Sequence, residues 1–135
     1  MRQRLRAAFD KFIDVSRMTD QQVAQRIAEL GVYIAIDLKG YTQDSRPEIL
    51  AYRPAPIQVN YLGYPGTMGA GFIDYILVDP FVVPADQQSY YTEKLVHLPD
   101  CNQVNDRQRK LRRLYHRGPS VCFQRTDLCS VASIK

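Results

Sequence analysis

The chain has 135 residues, 45% of them apolar and 24% charged, with a formal net charge of +4; that composition supports one compact core and excludes a disordered or fibrous chain. The charge is uneven: residues 1–100 hold 10 Lys+Arg against 12 Asp+Glu, and residues 101–135 hold 8 against 2, so the basicity belongs to the tail and argues against a nucleic-acid surface on the body. No apolar run approaches the ~20 residues of a membrane helix, and the opening "MRQRLRAAFDKF" has no signal-peptide stretch behind it, so a cytoplasmic protein without membrane contact is expected.

The opening segment, "RQRLRAAFDKFIDVS", fits a helix running into a short strand near Phe12–Val15. Thr19 and Gln22 then have capping-box spacing, and Val23, Ile27 and Leu30 recur at helical intervals up to Gly31, which predicts a helix over about 20–30. "VYIAIDL" (32–38) is a nearly continuous apolar run, as in a strand covered on both faces. The polar loop "KGYTQDS" comes next. Ser45 and Glu48 repeat the capping-box spacing, with Pro47 suited to a first helical turn, so a short helix should reach the "PAP" breaker at 54–56. "IQVNYL" (57–62), "DYILVD" (74–79) and "KLVHLP" (94–99) read as further strands, with a short helix from Pro84 to about Tyr91.

Strands and helices that alternate with short connections predict an α/β fold built on a parallel sheet. In such sheets ligands lie beyond the carboxyl ends of the strands, so "GYT" (40–42) and "LGYPGTMG" (62–69) should share a rim. The second loop belongs to a stretch with four glycines in nine residues, 63–71. It is neither GxGxxG nor a Walker A sequence. Bare backbone there suits either contact with a neutral, hydroxyl-rich ligand or a phosphate, or a purely structural turn.

Acid–base candidates are few. Asp37, at the end of a buried strand, could hold a substrate hydroxyl, although a bond to the nearby loop backbone is the plainer role. His97 sits inside an apolar strand and reads as a structural histidine, and His116 stands among the arginines of the tail. Asp74 and Asp79 bracket a strand and suit loop capping better than a catalytic pair. Tyr61, Tyr64, Tyr90 and Tyr91 could stack on a sugar or base, or be core. Cys101, Cys122 and Cys129 show no paired CxxC spacing, so free thiols are expected rather than a zinc site or redox pair.

Taken together, "GYT", "RPAPIQ" and "LGYPGT", within Asp37–Asp100, closely resemble the catalytic region of the protein O-GlcNAc transferase family, including its bacterial and SPINDLY-type members. With a weaker match at Phe12–Gly31, the resemblance covers about two thirds of the chain. It implies the Rossmann-like parallel sheet of the N-terminal lobe of a glycosyltransferase B fold, often found behind tetratricopeptide repeats. The implied activity is transfer of N-acetylglucosamine from a UDP-sugar donor to Ser or Thr of a protein acceptor. O-fucosyl transfer, as in SPINDLY-type members, and a non-catalytic α/β remnant are the alternatives. By the same resemblance Leu62, Gly63 and Pro65 line the sugar pocket, with Tyr41 and Thr42 on the neighbouring loop, and the glycines let a hexose lie against main chain. Gln43 stands where animal members carry a basic residue. No catalytic residue, metal or cofactor is expected in this segment. The family's histidine-bearing segment and its phosphate-binding second lobe are not matched, so the chain alone should be silent.

The resemblance stops after "CNQVNDRQR", which divides the chain into a partial lobe, 1–108, and a basic tail, 109–135. Codons for "VCFQRTDLCSVASIK" (121–135), read one base earlier, give "LLPEDGFVFCCFNQ", which is similar to the next segment of the family. A one-base frameshift near Arg109–Leu111 and a poorly ordered tail are therefore expected.

Overall fold

The structure, a computed structural model, describes residues 2–104 and the backbone of 131–134. Helix α1 (Arg2–Ala8) leads into a segment without regular structure. The strand expected near Phe12–Val15 is not formed. Val15 and Met18 instead turn back on themselves, Met18 N–H donating to the Val15 carbonyl at 3.0 Å, and pack against Val23, Ala24 and Ile49. Their apolar surface is covered by helices, so no sheet partner is needed.

Helix α2 (Asp20–Glu29) begins with the expected capping box: Gln22 N–H donates to Thr19 Oγ1 and Gln22 Oε1 accepts from Thr19 N–H at 2.9 Å, satisfying two otherwise open donors. Gly31, at φ +63°, lies just beyond its end. Helix α3 is one turn, Glu48–Ala51, and the capping box expected from Ser45 and Glu48 is absent. Pro47 holds the cap position in helical geometry, φ −63° and ψ −20°, with no side-chain bond, which leaves Ser45 outside the helix. Arg46 ties the two helical segments together: its guanidinium donates to Asp20 Oδ1 at 2.7 Å and to the carbonyls of Val15 and Met18.

Strands β1 (Ile34–Asp37), β2 (Ile57–Tyr61), β3 (Tyr75–Val78) and β4 (Lys94–His97) form a parallel sheet, each new strand added beside the last. A 3-10 helix, Ala85–Tyr90, leads into β4. Each connection is a crossover of more than a dozen residues, long enough to return the chain to the same edge, so all four strands run the same way with their carboxyl ends on one edge. Gln58, fully buried, braces the sheet from below: its side-chain amide donates to the carbonyls of Leu50 and Phe72. One apolar cluster (Val32, Ala35, Leu50, Ala55, Met68, Ala70, Ile73) fills one face, and a second (Ile76, Val78, Val83) lies under the 3-10 helix region.

On the other side of β1 lies β5 (Val131–Ile134), antiparallel, with Asp37 opposite Val131 and Ile34 opposite Ile134. This is the one described stretch of the basic tail, and it takes an edge-strand position where no regular element was expected. The boundary at 108 and residues 109–130 lie outside the described residues.

Candidate functional site

Asp37 and Asn60 are register partners at the ends of β1 and β2, so the two loops leave the sheet side by side. Each is folded by the polar side chain at its root. The buried Asp37 carboxylate accepts from the backbone N–H groups of Lys39 (2.9 Å) and Gly40 (3.1 Å). The buried Asn60 amide donates to the Tyr64 carbonyl at 2.9 Å. Between them the main chains touch. A Cβ on Gly63 would stand 2.5 Å from the Leu38 carbonyl oxygen, and one on Gly40, which has φ +56°, would stand 2.7 Å from Tyr64 Cβ. At these two positions the bare backbone admits the protein's own chain, which is the structural of the two readings open to the sequence.

On the rim so formed, Tyr41, Thr42, Gly63 and Pro65 are exposed and Leu62 is half-buried. Tyr41 meets Tyr64 edge to face, ring centroids 5.9 Å apart, joining the two loops above their glycine contact. Thr42 N–H donates to the Gly40 carbonyl at 2.9 Å, closing the first loop. Leu62 sits at φ +74°, a left-handed conformation that costs a residue with a Cβ about 1–2 kcal/mol. The surrounding contacts therefore hold the second loop against its own torsional preference.

Those contacts include Tyr91, expected only as a stacking or core aromatic, and Glu93, which the sequence reading missed. Pro65 O accepts from the Tyr91 hydroxyl at 2.9 Å. Farther along the loop, the fully buried Glu93 accepts from Thr67 Oγ1 and from Met68 N–H, each at 2.7 Å. The available signal is Glu93 itself, a carboxylate set directly before the apolar strand "KLVH".

The remaining titratable groups serve the backbone. Asp79, buried at the end of β3, accepts from Asn102, Val82 and Phe81 N–H, and these bonds, led by that of Asn102, hold its pKa below the usual 3.8 against the opposing effect of burial. Asp74 accepts from Arg53 and from Gln58 N–H. His97 Nε2 donates to the Val83 carbonyl at 2.8 Å. The Tyr61 hydroxyl donates to the Asn102 carbonyl; burial, then the nearby Cys101 thiol, raises its pKa. Tyr91 is raised likewise, by burial first and then by Glu93. A cavity of about 360 Å³ opens at the other end of the sheet, beside Ile57, Tyr75 and Lys94, and contains none of the five expected site residues. Among the described residues no group of three or more His, Cys, Asp or Glu is placed to hold a metal ion, and no helix is long and apolar enough to cross a membrane.

The sequence model of glycosyl transferase family 41 matches residues 1–128. The chain belongs to that family. The match continues past residue 109, where the sequence resemblance ended. An Arabidopsis thaliana protein named as the probable UDP-N-acetylglucosamine–peptide N-acetylglucosaminyltransferase SEC is 49% identical over 109 residues, 81% of this chain and 11% of that protein. A Caenorhabditis elegans UDP-N-acetylglucosamine–peptide N-acetylglucosaminyltransferase is 41% identical over 114 residues, 84% of this chain and 10% of its own length. The chain thus spans about a tenth of these relatives. A mutant of Thermobaculum terrenum O-GlcNAc transferase superposes with a TM-score of 0.71 at 34% identity, over 74% of this chain and 19% of that one. This family 41 chain accordingly has an α/β fold that matches part of a glycosyltransferase B structure.

Proposed function

We propose that this family 41 segment forms the donor-sugar side of a protein O-linked N-acetylglucosaminyltransferase, with Tyr41, Thr42, Leu62, Gly63 and Pro65 around the sugar. The observation that carries the proposal is the meeting of the Gly40–Thr42 and Leu62–Pro65 loops at adjacent carboxyl ends of a parallel sheet, where α/β folds take their ligands. A protein Ser or Thr hydroxyl is the acceptor. The described acid–base groups, Asp37, Asp74, Asp79 and His97, are all engaged with backbone or an arginine. None of these four is free for proton transfer at the rim, and the 135-residue chain by itself binds the donor weakly and does not turn it over.

The test titrates the 135-residue chain with UDP-GlcNAc and with UDP, following backbone amide shifts. Saturable shifts at Gly40–Thr42 and Leu62–Gly66 with UDP-GlcNAc are expected, and Leu62→Arg should abolish them by placing a charge in the pocket while the strand amides keep their positions. Shifts confined to the cavity beside Ile57, Tyr75 and Lys94, or equal binding by Leu62→Arg, would refute the assignment.

A further inference from the structure

The glycine loop is anchored at its root by Asn60, but its far half has no strand to hold it. We infer that Glu93 is the positioning residue of this loop: from the foot of β4 its buried carboxylate fixes the segment Pro65–Met68, and through it the backbone of Leu62–Pro65 that faces the sugar. The inference rests on the donor-site reading above.

The geometry gives Glu93 a defined task. The Thr67 hydroxyl is approached by two backbone donors, Gly69 N–H at 3.1 Å and Thr92 N–H at 3.3 Å. The Thr92 hydroxyl also lies 3.2 Å away, but the shortest contact, 2.7 Å, is donation of the Thr67 proton to Glu93 Oε2. The other oxygen, Oε1, takes Met68 N–H, also at 2.7 Å. Both carboxylate oxygens therefore have to be acceptors, a demand that a carboxamide of the same shape fails at one end. The platform is itself fixed: Gln88 Nε2 donates to the Glu93 carbonyl at 2.9 Å, Gln88 Oε1 accepts from Leu95 N–H, and Tyr91, two residues before Glu93, holds the Pro65 carbonyl. The clasp thus grips the loop at Pro65, Thr67 and Met68, immediately beyond the strained Leu62 and the Gly63 contact. With the side chain fully buried, water is not at hand to replace either bond.

The experiment compares wild type, Glu93→Gln, Thr67→Val, Thr67→Ser and the Glu93→Gln/Thr67→Val double variant as 135-residue chains. Each is titrated with UDP-GlcNAc, and the relaxation of the Tyr64–Gly69 amides is measured without ligand. Glu93→Gln should weaken donor binding roughly tenfold, the loss of one charge-assisted bond, and Thr67→Val at least as much, since it also removes the acceptor for Gly69 and Thr92 N–H. Both should make Tyr64–Gly69 more mobile while the strand amides stay in place. Thr67→Ser, which keeps the hydroxyl, should bind as wild type does, and the double variant should lose no more than the worse single one. Thr67→Val and Thr67→Ser serve should Glu93→Gln fail to fold. Unchanged donor affinity in both Glu93→Gln and Thr67→Val, with wild type binding normally, overturns the positioning role alone. Absence of saturable binding by wild type overturns the donor-site reading and the positioning role with it.

Discussion

Gly63→Ala tests the contact on which the rim depends. The new methyl carbon would lie 2.5 Å from the Leu38 carbonyl oxygen and 2.9 Å from Lys39 Cα and O. All three are backbone atoms, so no side-chain rotation relieves the clash and one loop must move. Overpacking of this kind costs about 1–3 kcal/mol. The substitution also stiffens the unfolded chain, which returns roughly 0.4–1 kcal/mol, so a net loss of about 1–2 kcal/mol is expected. Urea unfolding followed by far-ultraviolet circular dichroism should show a lower midpoint with an unchanged slope. Gly71→Ala is the internal control: no atom lies within 4 Å of its Cβ position and its φ is not in the left-handed range, so that variant should be neutral or more stable by up to about 1 kcal/mol. If Gly63→Ala matched Gly71→Ala in stability, the two loops would not touch as described, and the shared rim would lose its basis.

Asp79 predicts a pH dependence. Its folded pKa lies below 3.8, so its contribution to stability is present above about pH 4 and is lost as pH falls through the folded value. Asp79→Asn should be less stable than wild type near neutrality and should lose that part of the acid sensitivity, measured as urea midpoints between about pH 6 and pH 2; parallel curves for the two proteins would contradict it. For the tail, we propose the one-base frameshift near Arg109–Leu111. The family match running to residue 128 does not discriminate it from an intact linker, whereas the gene sequence does. The alternative frame should encode the next glycosyltransferase segment, and if it does not, the basic tail is native.

Local signals were legible wherever one residue acts on its own neighbours. The Thr19 and Gln22 capping box, the stop at Gly31, the buried runs of β1 to β3, and Asp37 and Asp79 as loop caps all arise from side-chain chemistry within three residues, apart from Asp79's additional bond to Asn102. The shared rim was legible too, since neighbouring parallel strands joined by crossovers present their carboxyl ends together. The failures are of two kinds, tertiary and local. Phe12–Val15 carries a strand-like pattern, but its environment is a helix pair rather than a sheet edge; Ser45 has capping chemistry, but Pro47 takes the position first. The reason for glycine at 40 and 63, and the link from Glu93 to Thr67 across 26 residues, exist only when distant segments are packed together. Sequence spacing encodes which bonds a residue can make with its neighbours, and only the folded chain decides which distant backbone comes within reach of a missing Cβ or a buried carboxylate.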